Sequence, residues 1–232
     1  MDFYGLQKVT LLDYPNEIAV TLFTFGCNMR CPFCHNPELV INENKNNQKK
    51  YSLDEIISFL KKRKNKLTGV CISGGEPLIH EEIVDVITEI KKLGFKVKVD
   101  TNGTNPLLLK KIDIDYVAMD IKTSLNKYGL MNFIGSSDIK ELLTESIDFL
   151  INSNINYEFR TTIFPEIFSI NDLTEILKTI KGARKYNIIQ FRPIKKLLDK
   201  NAKGVIPYSD EVINSMRQII LDNGIETNYS DI

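Results

Sequence analysis

Apolar positions along this chain of 232 residues fall into two alternating periods. Short runs rich in β-branched and aromatic residues, at 18–24, 69–72, 95–100, 116–119, 157–163 and 188–191, read as strands. Between them, apolar residues recur at helical spacing. Leu53, Ile56, Ile57 and Leu60 share one helical face, and Ile83, Val86, Ile87 and Ile90 repeat the pattern. Ser52-Leu53-Asp54-Glu55 has the form of a capping box, in which the Ser oxygen and the Glu carboxylate satisfy orphan N–H groups. Further helices are predicted over 139–152, 171–179 and 209–222. Six strands alternating with helices predict an α/β fold with a parallel sheet, because parallel strands need crossovers. Period alone leaves open a doubly wound sheet and a partial barrel.

The polar positions narrow that choice. Cys27 to Cys34 follow the first predicted strand, and Gly74-Gly75-Glu76-Pro77 follows the second. Asp100-Thr101-Asn102-Gly103 closes the third, Asp120 and Lys122 follow the fourth, Arg160 lies on the fifth and Arg192 follows the sixth. Each strand thus delivers polar chemistry at or near its carboxyl end, the edge that carries the active site in barrels and in open α/β sheets. A shared rim favours the barrel-like arrangement.

Composition removes several classes of function. Thirty Lys and Arg balance thirty Asp and Glu, which disfavours a non-specific nucleic-acid binder. No apolar run reaches the roughly 18–20 residues of a membrane span, and Met1 to Gly5 offers no basic start to a secretory signal. No linker interrupts the pattern, and no solenoid repeat occurs. A single domain over 1–232 is expected, with a core over about 16–194 and a C-terminal helix and tail over 195–232. The Asn- and Lys-rich stretch 42–50 reads as a solvated loop. Four cysteines are too few for a disulfide scaffold, so a reducing, cytoplasmic setting is expected.

Three of the four cysteines lie within eight residues, Cys27-Asn28-Met29-Arg30-Cys31-Pro32-Phe33-Cys34. Thiolates are soft ligands for iron–sulfur clusters and zinc. A structural zinc wants four protein ligands, and His35, adjacent to Cys34, is poorly placed to chelate the same ion. Three thiolates on a four-iron cluster leave one iron open to a substrate. Cys71, inside a predicted strand, reads as a small core hydrophobe.

The C-x3-C-x2-C spacing with Phe33 before the last Cys resembles the radical S-adenosylmethionine superfamily. Gly74-Gly75-Glu76-Pro77, about forty residues later, resembles the methionine-binding motif of the same family. The resemblance runs from Gly5 to about Ile194 and implies a partial (β/α)6 TIM-type barrel, a [4Fe–4S] cluster and S-adenosylmethionine. A narrower likeness is carried by Gly5-Leu6-Gln7-Lys8, Leu12-Asp13-Tyr14-Pro15 and Cys34-His35-Asn36-Pro37-Glu38-Leu39, which resemble the activating proteins of anaerobic ribonucleoside-triphosphate reductase. Asp100-Thr101-Asn102-Gly103 and Asp120-Ile121-Lys122 resemble the wider group of glycyl-radical activases, including that of pyruvate formate-lyase. Residues 39–50 contain no Cys, so one cluster is expected rather than several.

The resemblance implies reductive cleavage of S-adenosylmethionine at the cluster and hydrogen abstraction from a glycine of a partner enzyme. It assigns Cys27, Cys31 and Cys34 to three irons. Gly74 and Gly75 allow close backbone approach, and Glu76 accepts from the methionine amine or stabilises the turn that does so. Lys122 pairs with the methionine carboxylate, with Arg160 and Arg192 near it or shaping the mouth. Phe33 packs near the adenine, and Asn36 touches the nucleoside or shapes the cluster loop. Asp120, Asp100 and Thr101 meet ribose hydroxyls or a monovalent cation, and Asn102 belongs to the same set. No acid–base residue is required. The expected partners are a glycyl-radical enzyme, foremost the anaerobic ribonucleotide reductase, and a flavodoxin or ferredoxin-like electron donor, with no nucleic acid and no membrane. Residues 126–137, with Gly129 and Gly135, form a candidate rim element. The competing readings are a pyruvate formate-lyase type activase, a small-molecule enzyme such as 7-carboxy-7-deazaguanine synthase, and a non-catalytic iron–sulfur or zinc protein.

Overall fold

The protein is described by a computed structural model over residues 1–41, 49–193 and 197–228. Residues 42–48, most of the predicted solvated loop, lie outside the described residues.

In chain order the elements are β1 (Asp2–Phe3), β2 (Gly5–Thr10), β3 (Ala19–Thr24), α1 (Pro37–Val40), β4 (Tyr51–Ser52), α2 (Leu53–Arg63), β5 (Gly69–Gly74), α3 (Ile83–Lys92), β6 (Lys96–Thr101), α4 (Pro106–Lys111), β7 (Tyr116–Asp120), α5 (Ile139–Asn152), β8 (Asn156–Ile163), α6 (Ile170–Thr179), β9 (Tyr186–Gln190) and α7 (Asp210–Asp222). Seven strands form one sheet in the order β2-β3-β5-β6-β7-β8-β9, and β1 pairs with β4 separately. The α/β class and the six predicted strands are all present. Three strands were not legible in the sequence. β2 is one of them, an edge strand that runs antiparallel to β3, so the sheet is mostly rather than wholly parallel. Its register shifts between Gln7 and Thr10, and Gln7, Lys8 and Val9 in a row are exposed. A bulge of this kind destroys the period-2 signal by which a strand is read.

The chain divides into two compact units. Met1–Cys27, Glu38–Thr101 and Leu107–Ala118 make one, and Asn28–Pro37, Asn102–Pro106 and Met119–Ile232 the other. In the first, β3, β5 and β6 run parallel, with Thr24 opposite Gly74 and Ile72 opposite Val99, so their carboxyl ends lie level. Ile83, Val86, Ile87 and Ile90 of α3 are buried, as are Ile56 and Leu60 of α2, while Ile57 and Leu53 are half-buried. Each fully buried side chain contributes roughly 1.5–3 kcal/mol relative to exposure. Ser52 caps α2 with the reciprocal Glu55 bond that the sequence predicts. In the second unit, β8 and β9 pair in parallel, and α5, α6 and α7 bury Leu143, Ile147, Leu173, Ile176, Ile213 and Met216 among others. Among the described residues no helix is long and apolar enough to cross a membrane.

Candidate functional site

In the first unit the glycine pair is explained by the crossing of two backbones. Gly75 N–H donates to Thr24 O at 3.0 Å, and Glu76 N–H to Gly26 O at 2.7 Å. A Cβ on Gly75 would stand 1.9 Å from Gly26 O, and one on Gly74, whose φ is +116°, would stand 2.5 Å from the Thr24 backbone. No side chain larger than hydrogen fits either position. Glu76 is buried. Its Oε1 accepts from Leu78 N–H at 3.1 Å and from the Thr101 hydroxyl at 2.7 Å, so it caps the turn after β5 and ties it to the end of β6. Asp100 accepts from the Ser73 hydroxyl at 3.0 Å and from Lys98 Nζ at 2.7 Å. Lys98 is 2% exposed and donates also to Asp13 O at 2.5 Å, while Thr21 donates its hydroxyl to the Asp13 carboxylate. Alternation along β6 places Lys98 and Asp100 on one face, a sequence signal that went unused.

In the second unit Asp120, Lys122 and Arg160 form one ionic group. Lys122 Nζ donates to one Asp120 oxygen at 2.7 Å and Arg160 Nε to the other at 2.9 Å. Burial pushes the Asp120 pKa up, but the charges of Arg160 and Lys122 prevail and hold it at about 2. Lys122 is held above its usual value: burial opposes its charge, and the Asp120 carboxylate and Cys31 outweigh that. Its backbone N–H donates to the phenol of Tyr128 at 2.8 Å, and Tyr128 is buried. Tyr128 lies in a 3-10 segment, Leu125–Met131, that overlaps the predicted rim element 126–137. Ser124 and Lys127 fasten that segment to Asp172 of α6, each at 2.7 Å.

The loop after β3 carries the thiols. Cys31 is buried, Cys27 and Cys34 are half-buried, and none of the three is in a disulfide. Cys34 N–H bonds to Cys31 O at 3.1 Å, closing a turn between the two. Phe33 is buried with its ring 5.5 Å from that of Phe164, which lies 4.8 Å from Phe191. His35 packs 6.0 Å from Phe191 on the same aromatic row. Desolvation and the Lys122 charge lower the His35 pKa, and a bond with the Arg192 backbone opposes them. Asn36 and the Arg192 side chain are exposed. Asn102 is buried and bonds to Asn28 and Thr104, two residues that the sequence reading had not singled out. Asn28 stands between two cysteines, and Thr104 follows a polar strand end, which are the signals that pointed to them.

The donor set fits an iron–sulfur cluster. Three thiols within eight residues, none in a disulfide, supply soft ligands, and Lys122 places a cation where it interacts with Cys31. Among the described residues no three His, Cys, Asp or Glu side chains already stand as a metal-holding group, so the fit rests on donor chemistry and spacing.

Known proteins agree with this chemistry. Residues 21–191 match the model of the radical SAM superfamily. The chain is 33% identical over 198 residues to a Methanocaldococcus jannaschii protein provisionally named a glycyl-radical enzyme activating enzyme, covering 82% of this chain and 79% of that one. It is 25% identical over 201 residues to the pyruvate formate-lyase-activating enzyme of Clostridium pasteurianum, covering 82% of each. The crystal structure of QueE from Escherichia coli shares the fold, with a TM-score of 0.61 at 16% identity, over 97% of this chain and 92% of that one. The chain belongs to the radical S-adenosylmethionine superfamily, whose members use a [4Fe–4S] cluster and S-adenosylmethionine, and it stands among the glycyl-radical enzyme activating enzymes.

Proposed function

We propose that this enzyme generates the glycyl radical of an anaerobic ribonucleoside-triphosphate reductase. The observation that carries the reading is the combination of Cys27, Cys31 and Cys34 with the flanking segments Gly5–Lys8, Leu12–Pro15 and Cys34–Leu39, and with no cysteine in residues 39–50. When bound, the cluster and S-adenosylmethionine supply one-electron cleavage and a hydrogen-abstracting nucleoside.

The chain's own residues hold and shield. Cys27, Cys31 and Cys34 ligate three irons. Lys122 and Arg160 set two cations against the single carboxylate of Asp120, so the group retains positive charge for the methionine carboxylate. Glu76, Gly74 and Gly75 set the turn that receives the methionine amine. Phe33 offers an apolar surface for the adenine, with Asn36 and Arg192 at the exposed margin. Asp100, Thr101 and Asp120 serve the ribose or a monovalent cation. The glycine loop of the partner closes the site against water and stray hydrogen donors.

Anaerobic reconstitution followed by iron counting tests the first step. Dithionite and S-adenosylmethionine are then expected to give methionine and 5′-deoxyadenosine, and Cys31→Ala to abolish iron retention and cleavage together. Adding the anaerobic reductase is expected to produce a glycine-centred doublet in electron paramagnetic resonance. A doublet on pyruvate formate-lyase alone moves the target to that enzyme. No doublet on either, with turnover of a pterin substrate, replaces the activase reading by the small-molecule one. Zinc in place of iron overturns the reading altogether.

A further inference from the structure

Three side chains in the second unit form a closed ring of hydrogen bonds. Asn28 Nδ2 donates to Thr104 Oγ1 at 2.7 Å. Thr104 Oγ1 donates to Asn102 Oδ1 at 2.7 Å. Asn102 Nδ2 donates to Asn28 Oδ1 at 2.8 Å. Each member gives one bond and receives one around the circuit, an arrangement in which each bond polarises the next. The backbone N–H of Thr104 adds a second donor to Asn102 Oδ1 at 3.0 Å.

The ring sits on a rigid base. Gly103, between its two later members, has φ +76°, and a Cβ there would meet Met119 Cε at 2.1 Å. Its carbonyl accepts from the buried Ser146 hydroxyl of α5 at 2.7 Å. Asn102 and Thr104 are themselves buried. The other side of the ring is the thiol loop. Asn28 O accepts from Ile134 N–H at 2.8 Å, and Arg30 N–H donates to Met131 O at 2.8 Å. Further on, Asp199 N–H donates to Pro32 O at 3.1 Å and Leu198 N–H to Cys34 O at 3.3 Å. Met29 is buried between the ring residue and Arg30.

We infer that Asn28, Thr104 and Asn102 are positioning residues for the cluster. They fix the start of the ligand loop before iron arrives, and Asn102 acts through the loop rather than on the nucleotide. The inference rests on the proposed cluster-binding role of that loop. A flexible loop of three thiols loses conformational freedom when it ligates, and that cost lowers affinity. A loop already held on both sides loses less. Position 104 needs a group that both donates and accepts, which the threonine hydroxyl does through a single atom and a valine methyl group cannot.

The test uses the reconstituted full chain and reads the rate at which a chelator strips iron, beside the thermal midpoint of each variant. Thr104→Val is expected to speed iron loss about tenfold, in line with the usual effect of groups that orient metal ligands. Thr104→Ser, which keeps the donor and acceptor, is expected to stay within about twofold of wild type on the same argument. Asn28→Ala with Thr104→Val is expected to be no worse than either alone, because one break opens the ring. In the unaltered chain, iron loading is expected to leave the amide exchange of Arg30 and Ile134 nearly unchanged, since both are already bonded, whereas a loop that forms only on loading would show strong new protection. Wild-type iron retention in Thr104→Val, additive losses in the double variant, or strong new protection at those amides each overturns the anchor. A wild-type chain that takes up no iron overturns the cluster reading, and the anchor falls with it.

Discussion

The turn after β5 and the loop after β3 both leave parallel strands at their carboxyl ends, yet they are held in opposite ways. Gly74 to Pro77 is closed by backbone from the neighbouring strand end, with Thr24 and Gly26 as partners, and by the capping carboxylate of Glu76. Its geometry follows from strand register and from the absence of two Cβ atoms. The thiol loop from Asn28 to Cys34 contributes one internal backbone bond of its own, Cys34 to Cys31, and takes its other supports from Asn102, Thr104, Met131, Ile134, Leu198 and Asp199. One device is local to adjacent strands. The other is assembled with three distant stretches of chain. A turn fixed by sterics tolerates no added atom, whereas a loop fixed by remote hydrogen bonds can be loosened by degrees.

That contrast can be broken first at Gly75. Gly75→Ala forces a Cβ into Gly26 O and is expected to cost about 3 kcal/mol or more in denaturant unfolding, the upper end for overpacking. Gly129→Ala, with nothing within 4 Å of the new methyl group, is expected to stay within about 0.5 kcal/mol. Equal effects at the two positions would remove the steric explanation.

Asp172→Ala probes the remote kind of support. It removes the acceptor for Ser124, Lys127 and Ser169 at once and is expected to cost about 2 kcal/mol, leaving the buried Ser124 hydroxyl unpaired. Because the rim segment it holds also bonds to the thiol loop, iron retention should fall with it. A loss of stability with iron retention untouched would separate the rim from the loop.

The ionic group gives a smaller, pH-dependent effect. The folded pKa of Asp120 is depressed from 3.8 to about 2. Its contribution is therefore complete above the unfolded value and is lost as pH falls from about 4 toward 2. The stability gap between wild type and Asp120→Asn is expected to be widest near neutrality and to close over that window. A gap independent of pH would mean that the carboxylate charge does not matter there. The smallest change is expected at Ser52→Ala, about 1 kcal/mol for a lost helix cap, with no consequence for iron binding.

Much of this molecule was legible from residue order. The helical faces of Ile56 and Leu60, or of Ile83 through Ile90, follow from period 3.6, and the capping box at Ser52 from residue type. β2 was not legible, because its bulge and three consecutive exposed residues hide the alternation. The site divides the same way. Thiolate chemistry can be read from C-x3-C-x2-C, and the need for glycine at 74 and 75 from a strand-to-helix turn. The pairing of Lys122 and Arg160 on one carboxylate could not be read, because Asp120 and Arg160 stand 40 residues apart and neither period nor composition links them.

The amino-acid order alone fixed the chemistry of the ligands, the parallel strands and the helices between them, because soft donors and hydrophobic periods act over a few residues. Only the folded chain decided what holds the thiol loop. Asn28 and Thr104 are separated by 76 positions, and a hydrogen bond between them exists only once strand pairing and core packing have met the entropy of bringing the two ends together.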